Sequence, residues 1–461
     1  MVENDNIIAL ASPSGIGAIS LIRISGPESI QIVNNNFKGI ENISLINQEA
    51  NKVQLGYIVD NTNIIDKVLV TVFRNPKSYT GEDLVEISCH GSMFIQQSII
   101  QLLLEENCRI ANAGEFTMRS FLNGKMDLSQ AESVADLISS NSEASHRLAM
   151  NQMRGGFKND INELRTELVN FASLIELELD FSQEDVEFAN MKELTSLLNK
   201  ISFNLKDLID SFKTGNVIKN GIPIVIVGEP NSGKSTLLNT LLNEDRAIVS
   251  PVPGTTRDTI EDQINLNGVI CRFIDTAGIR STKDEIETIG IERTFKKIEE
   301  AEIIIYMIDY SNLKTSNIEY YTNYLNDISS KFSEKKLITV LNKEDERTNI
   351  SIDELNEFNP ILVSAKNKVN ISSLKDEIIF HINNITSQID NSTVSNSRHF
   401  DLLNKTYKEI HKVKDAINKK VSADLLSIDI KQAIYYLGEL TGEISNDEIL
   451  GNIFSKFCIG K

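Results

Sequence analysis

The sequence predicts a multidomain chain. An N-terminal α+β domain is followed by an all-α helical bundle domain, into which an α/β P-loop G domain with a mostly parallel sheet is inserted. Three observations predict this. The chain has 461 residues, too many for one hydrophobic core. One phosphate-loop pattern lies in its middle, at Gly228-Glu-Pro-Asn-Ser-Gly-Lys-Ser235. Amphipathic helical sequence stands on both sides of that pattern, and a single bundle interrupted by an insertion buries more than two small bundles would.

Composition places the chain among globular proteins and narrows its partners. Hydrophobic residues make up 41% and charged residues 24%, ordinary values for a folded domain. The formal net charge of −19 argues against a large basic nucleic-acid-binding surface, though not against a local patch. Cysteines 89, 108, 271 and 458 are far apart and form no C-x-x-C pair. They read as reduced thiols of a cytoplasmic protein, with neither a zinc site nor a disulfide framework. No run of eighteen apolar residues exists, and Met1 to Asn6 is polar and acidic. We expect no membrane span and no signal or transit peptide.

The elements follow in order. Residues 1–120 carry short β-rich runs bounded by Gly, Pro and Ser: Ile7–Ala11, Ala18–Ile24 and Lys67–Phe73, with a helix expected over Ser92–Glu105. Residues 121–217 contain no proline, which permits long helices. Ile161, Leu164, Leu168, Phe171 and Ile175 recur at spacings of three and four, as do Leu194, Leu197, Ile201, Leu205, Leu208 and Phe212. Each set is one apolar face packed into a bundle. Residues 218–385 alternate apolar strands with helices. The strands are Ile222–Val227, Val269–Ile274, Ile303–Ile308, Leu337–Leu341 and Pro360–Val363, and such continuous apolar strands imply a sheet covered on both faces. Residues 386–461 open with a polar linker, Thr386–Ser397, and resume helical spacing at Phe400, Leu403, Tyr407, Ile410, Val413 and Ile417.

The P-loop pattern predicts a nucleotide site. Strand, glycine turn and helix in that order converge backbone N–H groups on an anion. Asn231, Ser232, Gly233, Lys234, Ser235 and Thr236 form the cradle, with Lys234 on the terminal phosphates and Ser235 on Mg²⁺. Gly254-Thr-Thr-Arg-Asp258 supplies a switch segment in which Thr256 is the second expected Mg²⁺ ligand. Asp275-Thr-Ala-Gly278 ends a strand, where Asp275 can reach Mg²⁺ through water, Thr276 lies alongside, and the Gly278 N–H can approach the γ-phosphate. Asn342-Lys-Glu-Asp345 fits N-K-x-D, with Asn342, Lys343 and Asp345 at the base. The Asp345 carboxylate can accept hydrogen bonds from N1–H and the 2-amino group of guanine; adenine presents no such pair. Ser364, Ala365 and Lys366 fit the supporting guanine loop. Five motifs in this order predict a GTPase. The position after Gly278, where Ras-like switches carry a water-orienting glutamine, is Ile279. Hydrolysis therefore needs a catalytic group from elsewhere, and a cation for the β–γ bridge.

These motifs resemble the TrmE–Era–EngA group of GTPases. The segment Gly114–Glu132 and the terminal Phe457-Cys-Ile-Gly-Lys461 narrow the resemblance to the MnmE (TrmE) family of tRNA uridine-modification GTPases, from Ile7 to the last residue. The resemblance implies a homodimer that forms a heterotetramer with the flavoprotein MnmG. Together they act on tRNA to install a carboxymethylaminomethyl or aminomethyl group at C5 of the wobble uridine. It implies K⁺ in place of an arginine finger, held by Asn231, the carbonyls of Ser250 and Val252, and Thr255. The family's water-orienting glutamate falls on Glu287, which joins Lys234 and Thr256 as an expected catalytic residue. A 5-formyl- or 5,10-methylene-tetrahydrofolate would be held by Arg23, Glu86, Lys125 and Lys461, where a carboxylate suits the pterin and Arg or Lys the anionic tail. His90-Gly-Ser92 carries serine where the family pattern has a second glycine. Cys458 lies four residues from the end, but Gly460-Lys461 does not fit a prenylation signal; packing or a reactive role beside the folate remain its two readings. Two rival functions stay open: a ribosome-assembly or RNA-binding GTPase of the Era and EngA kind, and a switch that only recruits an effector.

Overall fold

The computed structural model describes residues 5–40, 43–180, 191–245, 262–274, 290–347, 351–419, 421 and 423–460. The chain divides into two compact units. The first comprises Met1–Ile138, Gln152–Ser202 and Leu402–Lys461; the second comprises Ser139–Asn151 and Phe203–Asp401.

The first unit opens on a sheet built from β1 (Asn6–Leu10), β2 (Ile19–Ser25), β3 (Phe37–Gly39), β4 (Val53–Asp60), β5 (Asn63–Phe73), β6 (Leu84–His90) and β7 (Cys108–Ile110). Their spatial order is β3-β4-β5-β6-β2-β1-β7. All pairs are antiparallel except β1 with β7. Alternation in β2 and β6 turns Ile22, Ile24, Val85 and Ile87 to one face. There α1 (Ser29–Asn35) and α2 (Met93–Leu104) cover them with Ile32, Val33, Ile99 and Leu103. Helix α3 (Glu115–Leu122) is anchored by a charge network centred on buried Arg119 and Glu115. In it, Arg119 Nη2 meets Asp5 at 2.6 Å and Glu115 at 3.1 Å, and Arg109 Nη2 meets Glu115 at 2.6 Å. The Arg119 side chain is 1% exposed, so these carboxylates replace water that it cannot reach.

The helices then run α4 (Leu128–Ser139), α5 (Glu143–Met153), α6 (Gly156–Asp180) and α7 (Met191–Asn220). The stripe predicted on α6 is buried: Ile161, Leu164, Leu168, Phe171 and Ile175 are all below a tenth exposed. On α7, Leu194, Ile201, Leu205 and Leu208 are buried, but Leu198 rather than Leu197 completes the face.

In the second unit, β8 (Ile222–Gly228), α8 (Lys234–Asp245), β9 (Asp262–Leu266), β10 (Val269–Phe273), α9 (Gly290–Glu300), β11 (Ile303–Asp309), α10 (Thr315–Lys331), β12 (Lys336–Asn342), β13 (Ile361–Val363) and α11 (Ile371–Thr386) follow in sequence. The strand order is β13-β12-β11-β8-β10-β9. Every pair is parallel except the β9–β10 hairpin. The continuous apolar strands are explained by the two covered faces. On β8, Ile222, Ile224 and Ile226 join the core with α8 and α11, while Val225 and Val227 join the core with α10. β11 divides likewise, with Ile303, Ile305 and Met307 on one face and Ile304, Tyr306 and Ile308 on the other. The stretch expected to be a polar linker is packed: Thr393, Val394 and Ser395 are buried, and Val394 N–H donates to Ser211 Oγ at 3.0 Å.

Three helices close the chain: α12 (Ser397–Asn418), α13 (Ala423–Thr441) and α14 (Asp447–Phe454). In the first unit, α13 packs along α6 although more than two hundred residues separate them in sequence. That is the physical form of an interrupted helical domain.

Candidate nucleotide site and N-terminal charge cluster

The C-terminal ends of the parallel strands carry the candidate nucleotide site, the place where open α/β sheets bind ligands. Strand β8 ends at Gly228, and the turn reaches α8 through Asn231 and Gly233, whose φ angles are +62° and +98°. Gly233 is required there: an added Cβ would collide with Asn342 Nδ2. Lys234 opens α8, and its Nζ donates to the carbonyls of Gly228 at 2.8 Å and Glu229 at 2.7 Å. Burial pulls its pKa below the ordinary lysine value; Glu229 opposes this and Lys297 adds to it. Ser232 is fully buried in the turn.

Asn342 ties three loops together. Its Nδ2 donates to Ser232 O at 2.7 Å, and its Oδ1 accepts from Ala365 N at 3.0 Å. Ser364 and Val369 exchange both backbone hydrogen bonds, closing the loop that holds Ala365 and Lys366. The pKa of Asp345 lies below the usual carboxylate value, chiefly because the Ser364 hydroxyl donates to it. Gly233, Thr236, Asn342, Lys343, Asp345, Ser364 and Lys366 line a cavity of about 260 Å³ together with Glu346. The arrangement presents two carboxylates, Asp345 and Glu346, and two lysines, Lys343 and Lys366, around one opening.

Sequence reasoning passed over three residues. Thr240 on α8 donates to Ala365 O at 3.0 Å. Tyr321 on α10 donates to Glu229 Oε2 at 2.8 Å. Asp309 accepts from Lys343 Nζ at 2.6 Å. None sits in a motif, and each partner is distant in sequence. Ser250, Val252, Thr255, Thr256, Asp275, Thr276, Gly278 and Glu287 lie outside the described residues, as does Lys461.

Within the first unit, the structure brings Arg23 and Glu86 together. They face each other across β2 and β6, with Arg23 Nη2 and Nε at 2.6 and 3.0 Å from Glu86 Oε1. The Arg23 guanidinium lies over the rings of Tyr79 and Phe116, 5.4 and 5.8 Å from their centroids. The chain end reaches the same place. Ile459 bridges Ala113, Gly114 N–H donates to Cys458 O at 3.3 Å, and Arg23 Nη1 donates to Gly460 O at 3.5 Å. Cys458 is exposed. Lys125 Nζ donates to Pro76 O at 2.9 Å, on the loop that carries Tyr79. No helix among the described residues is long and apolar enough to cross a membrane, and no group of three His, Cys, Asp or Glu is arranged for a metal there.

A family model described as the MnmE helical domain matches residues 128–458, and one described as the GTP-binding protein TrmE N-terminus matches residues 6–125. The chain is 56% identical over 468 residues to the tRNA modification GTPase MnmE of Flavobacterium johnsoniae, covering 100% of both chains. It is 54% identical to that of Flavobacterium psychrophilum, again over 100% of both, and 48% identical to that of Bacteroides thetaiotaomicron, over 100% of both. Among solved structures, it is similar to the G domain of the T. maritima FeoB iron transporter. That match has 23% identity, 35% of this chain and 98% of that chain, and TM-score 0.26. Matched by family models at both ends of its length and by full-length relatives throughout, the chain belongs to the MnmE family of tRNA modification GTPases.

Proposed function

We propose that this chain is a GTP hydrolase that acts in tRNA modification. It works with the flavoprotein MnmG to install the aminomethyl or carboxymethylaminomethyl group at C5 of the wobble uridine. The observation that supports the nucleotide half is Asn342, which joins the P-loop carbonyl of Ser232 to the amide of Ala365 and so ties that turn to a loop lining a cavity of about 260 Å³. The tRNA half rests on the family. Its proposed organisation is an N-terminal domain over residues 1–120, a helical domain over 121–217 and 386–461, and a G domain over 218–385, assembled as a homodimer.

The binding roles follow from chemistry. Asp345 reads the N1–H and 2-amino group of guanine, and Lys343, Ser364 and Lys366 border the base. Lys234 and the amides opening α8 take the phosphates; in the free protein the Lys234 ammonium is held by two carbonyls that a phosphate would replace. Ser235, at the start of α8, fits a Mg²⁺ ligand, with Thr256 as its expected companion. Asn231, exposed at positive φ, fits one ligand of a K⁺ site completed by Ser250, Val252 and Thr255. These cations would supply positive charge against the β–γ bridge. Glu287 is assigned to orient water, because Ile279 cannot.

The Arg23–Glu86 cluster fits a tetrahydrofolate, which would supply the one-carbon unit. The guanidinium is already stacked on two rings and paired with a carboxylate, so a folate would meet an oriented donor and acceptor set. Lys125 and Lys461 are its proposed further contacts. The test of the potassium assignment is the single-turnover GTPase rate in KCl and in NaCl at equal ionic strength. A markedly faster rate in KCl is expected; equal rates would remove K⁺ from the account. The rival reading, a ribosome-assembly GTPase of the Era and EngA kind, would leave wobble uridine unaffected.

A further inference from the structure

We propose that Asp309 is a positioning residue for guanine binding: from behind the pocket it holds Lys343 as part of the pocket wall. The inference rests on the assignment of the base site to the Asn342–Asp345 loop. Strands β11 and β12 run parallel with Asp309 opposite Asn342, so the residues after each emerge side by side at the same end of the sheet. Lys343, directly after Asn342, adopts φ +67°, a conformation uncommon outside glycine and asparagine. Such a backbone persists only where its surroundings over-determine it.

Asp309 supplies that determination. It is 4% exposed, and among the described residues its carboxylate accepts four hydrogen bonds. Oδ1 accepts from Ser311 N at 3.0 Å and Ser311 Oγ at 2.6 Å; Oδ2 accepts from Asn312 Nδ2 at 2.9 Å and Lys343 Nζ at 2.6 Å. Burial pushes its pKa up, but the Lys343 and Ser311 hydrogen bonds outweigh burial and keep the group ionised. The three contacts to Ser311 and Asn312 cap the turn after β11 and need nothing from Lys343. Lys343, whose side chain is about a third exposed, has water available as an alternative partner. The pair therefore fixes the lysine more than it completes the cap, and the lysine lines the cavity while Asp309 does not.

The test is titration of the full-length protein with fluorescent GDP, IDP and XDP analogues. In the Asp309→Asn variant the side-chain shape survives but the anion is lost. GDP affinity should fall about ten-fold, the scale of one charge-assisted hydrogen bond. IDP affinity should fall by the same factor, because Lys343 does not read the 2-amino group. Placed in a Lys343→Met background, Asp309→Asn should cause little further loss. Wild-type GDP binding by Asp309→Asn, a loss confined to GDP, or full additivity in the double variant would each overturn the proposal. Should Asp309→Asn fail to fold, Lys343→Met leaves the cap intact and must itself weaken GDP and IDP equally; unequal losses refute the wall. Asp345→Asn separates the two levels: it should exchange guanine preference for xanthine. If it does not, the pocket assignment fails; if it does while Asp309→Asn is silent, only the role of Asp309 falls.

Discussion

Replacing Asn342 by alanine deletes the joint between the turn at Ser232 and the loop at Ala365. The side chain is 3% exposed and makes two hydrogen bonds to backbone atoms of Ser232 and Ala365, residues that are 0% and 2% exposed. Water reaches neither partner readily, so each loses a hydrogen bond that nothing replaces. An orphaned buried group costs about 1–3 kcal/mol, which puts the pair at roughly 2–6 kcal/mol. The cost falls first on the free protein, as looser loops. A nucleotide must then restore their geometry at its own expense, so affinity falls by up to the same energy. At 1.4 kcal/mol per decade, the smaller cost carried over in full is a loss of about 30-fold in GDP affinity. Asn342→Asp tests the donor alone. It keeps an acceptor for the Ala365 amide but turns a carboxylate oxygen toward the Ser232 carbonyl, and should bind no better than alanine. The assay is titration with a fluorescent GDP analogue, with thermal melting alongside. Binding by Asn342→Ala within about three-fold of wild type would refute the reasoning, because the joint would then hold nothing that binding uses.

The remaining predictions concern catalysis and the N-terminal core. Glu287→Ala should lower single-turnover GTP hydrolysis while leaving nucleotide affinity nearly intact; an unchanged rate would remove Glu287 from catalysis. Arg119→Met should destabilise the chain by about 3 kcal/mol in denaturant unfolding, because it removes one of the two cations that hold buried Glu115 and the cation beside Glu82; a loss below about 1 kcal/mol would show the network to be dispensable. The same network gives a pH dependence. Burial raises the Glu115 pKa, but hydrogen bonds from Arg109, Asn112 and Arg119 outweigh it, so the folded value lies below the reference 4.5. Its contribution is thus present above pH 4.5 and lost as pH falls through the folded value. Acid melting of the Glu115→Gln variant should be less steep than wild type, and identical acid profiles would contradict the assignment.

The G domain was legible because its signals are local. An apolar strand, a glycine turn and a helix occupy contiguous residues, and Ile303 to Ile308 of β11 is an unbroken apolar run that two covered faces demand. β4 was harder to read. Gly56 interrupts its middle, and it does so because the Phe37 ring packs where a side chain would stand. The bridges Asp309–Lys343, Tyr321–Glu229 and Thr240–Ala365 were invisible for another reason: they exist only once the sheet brings strand ends together. Arg23 and Glu86 were named through family resemblance, but their pairing is a fact of register between β2 and β6. The approach of Gly460 to Arg23 spans nearly the whole chain, so nothing in local pattern foretells it.

The central claim is that GTP hydrolysis by this chain serves wobble-uridine modification. Its most direct test is mass-spectrometric measurement of C5-modified wobble uridine in tRNA from cells lacking the gene, complemented by the wild-type chain or by Lys234→Ala. The account predicts loss of the modified nucleoside on deletion, full return with wild type, and no return with Lys234→Ala. Normal modification in the deletion strain, or full rescue by Lys234→Ala, would contradict it.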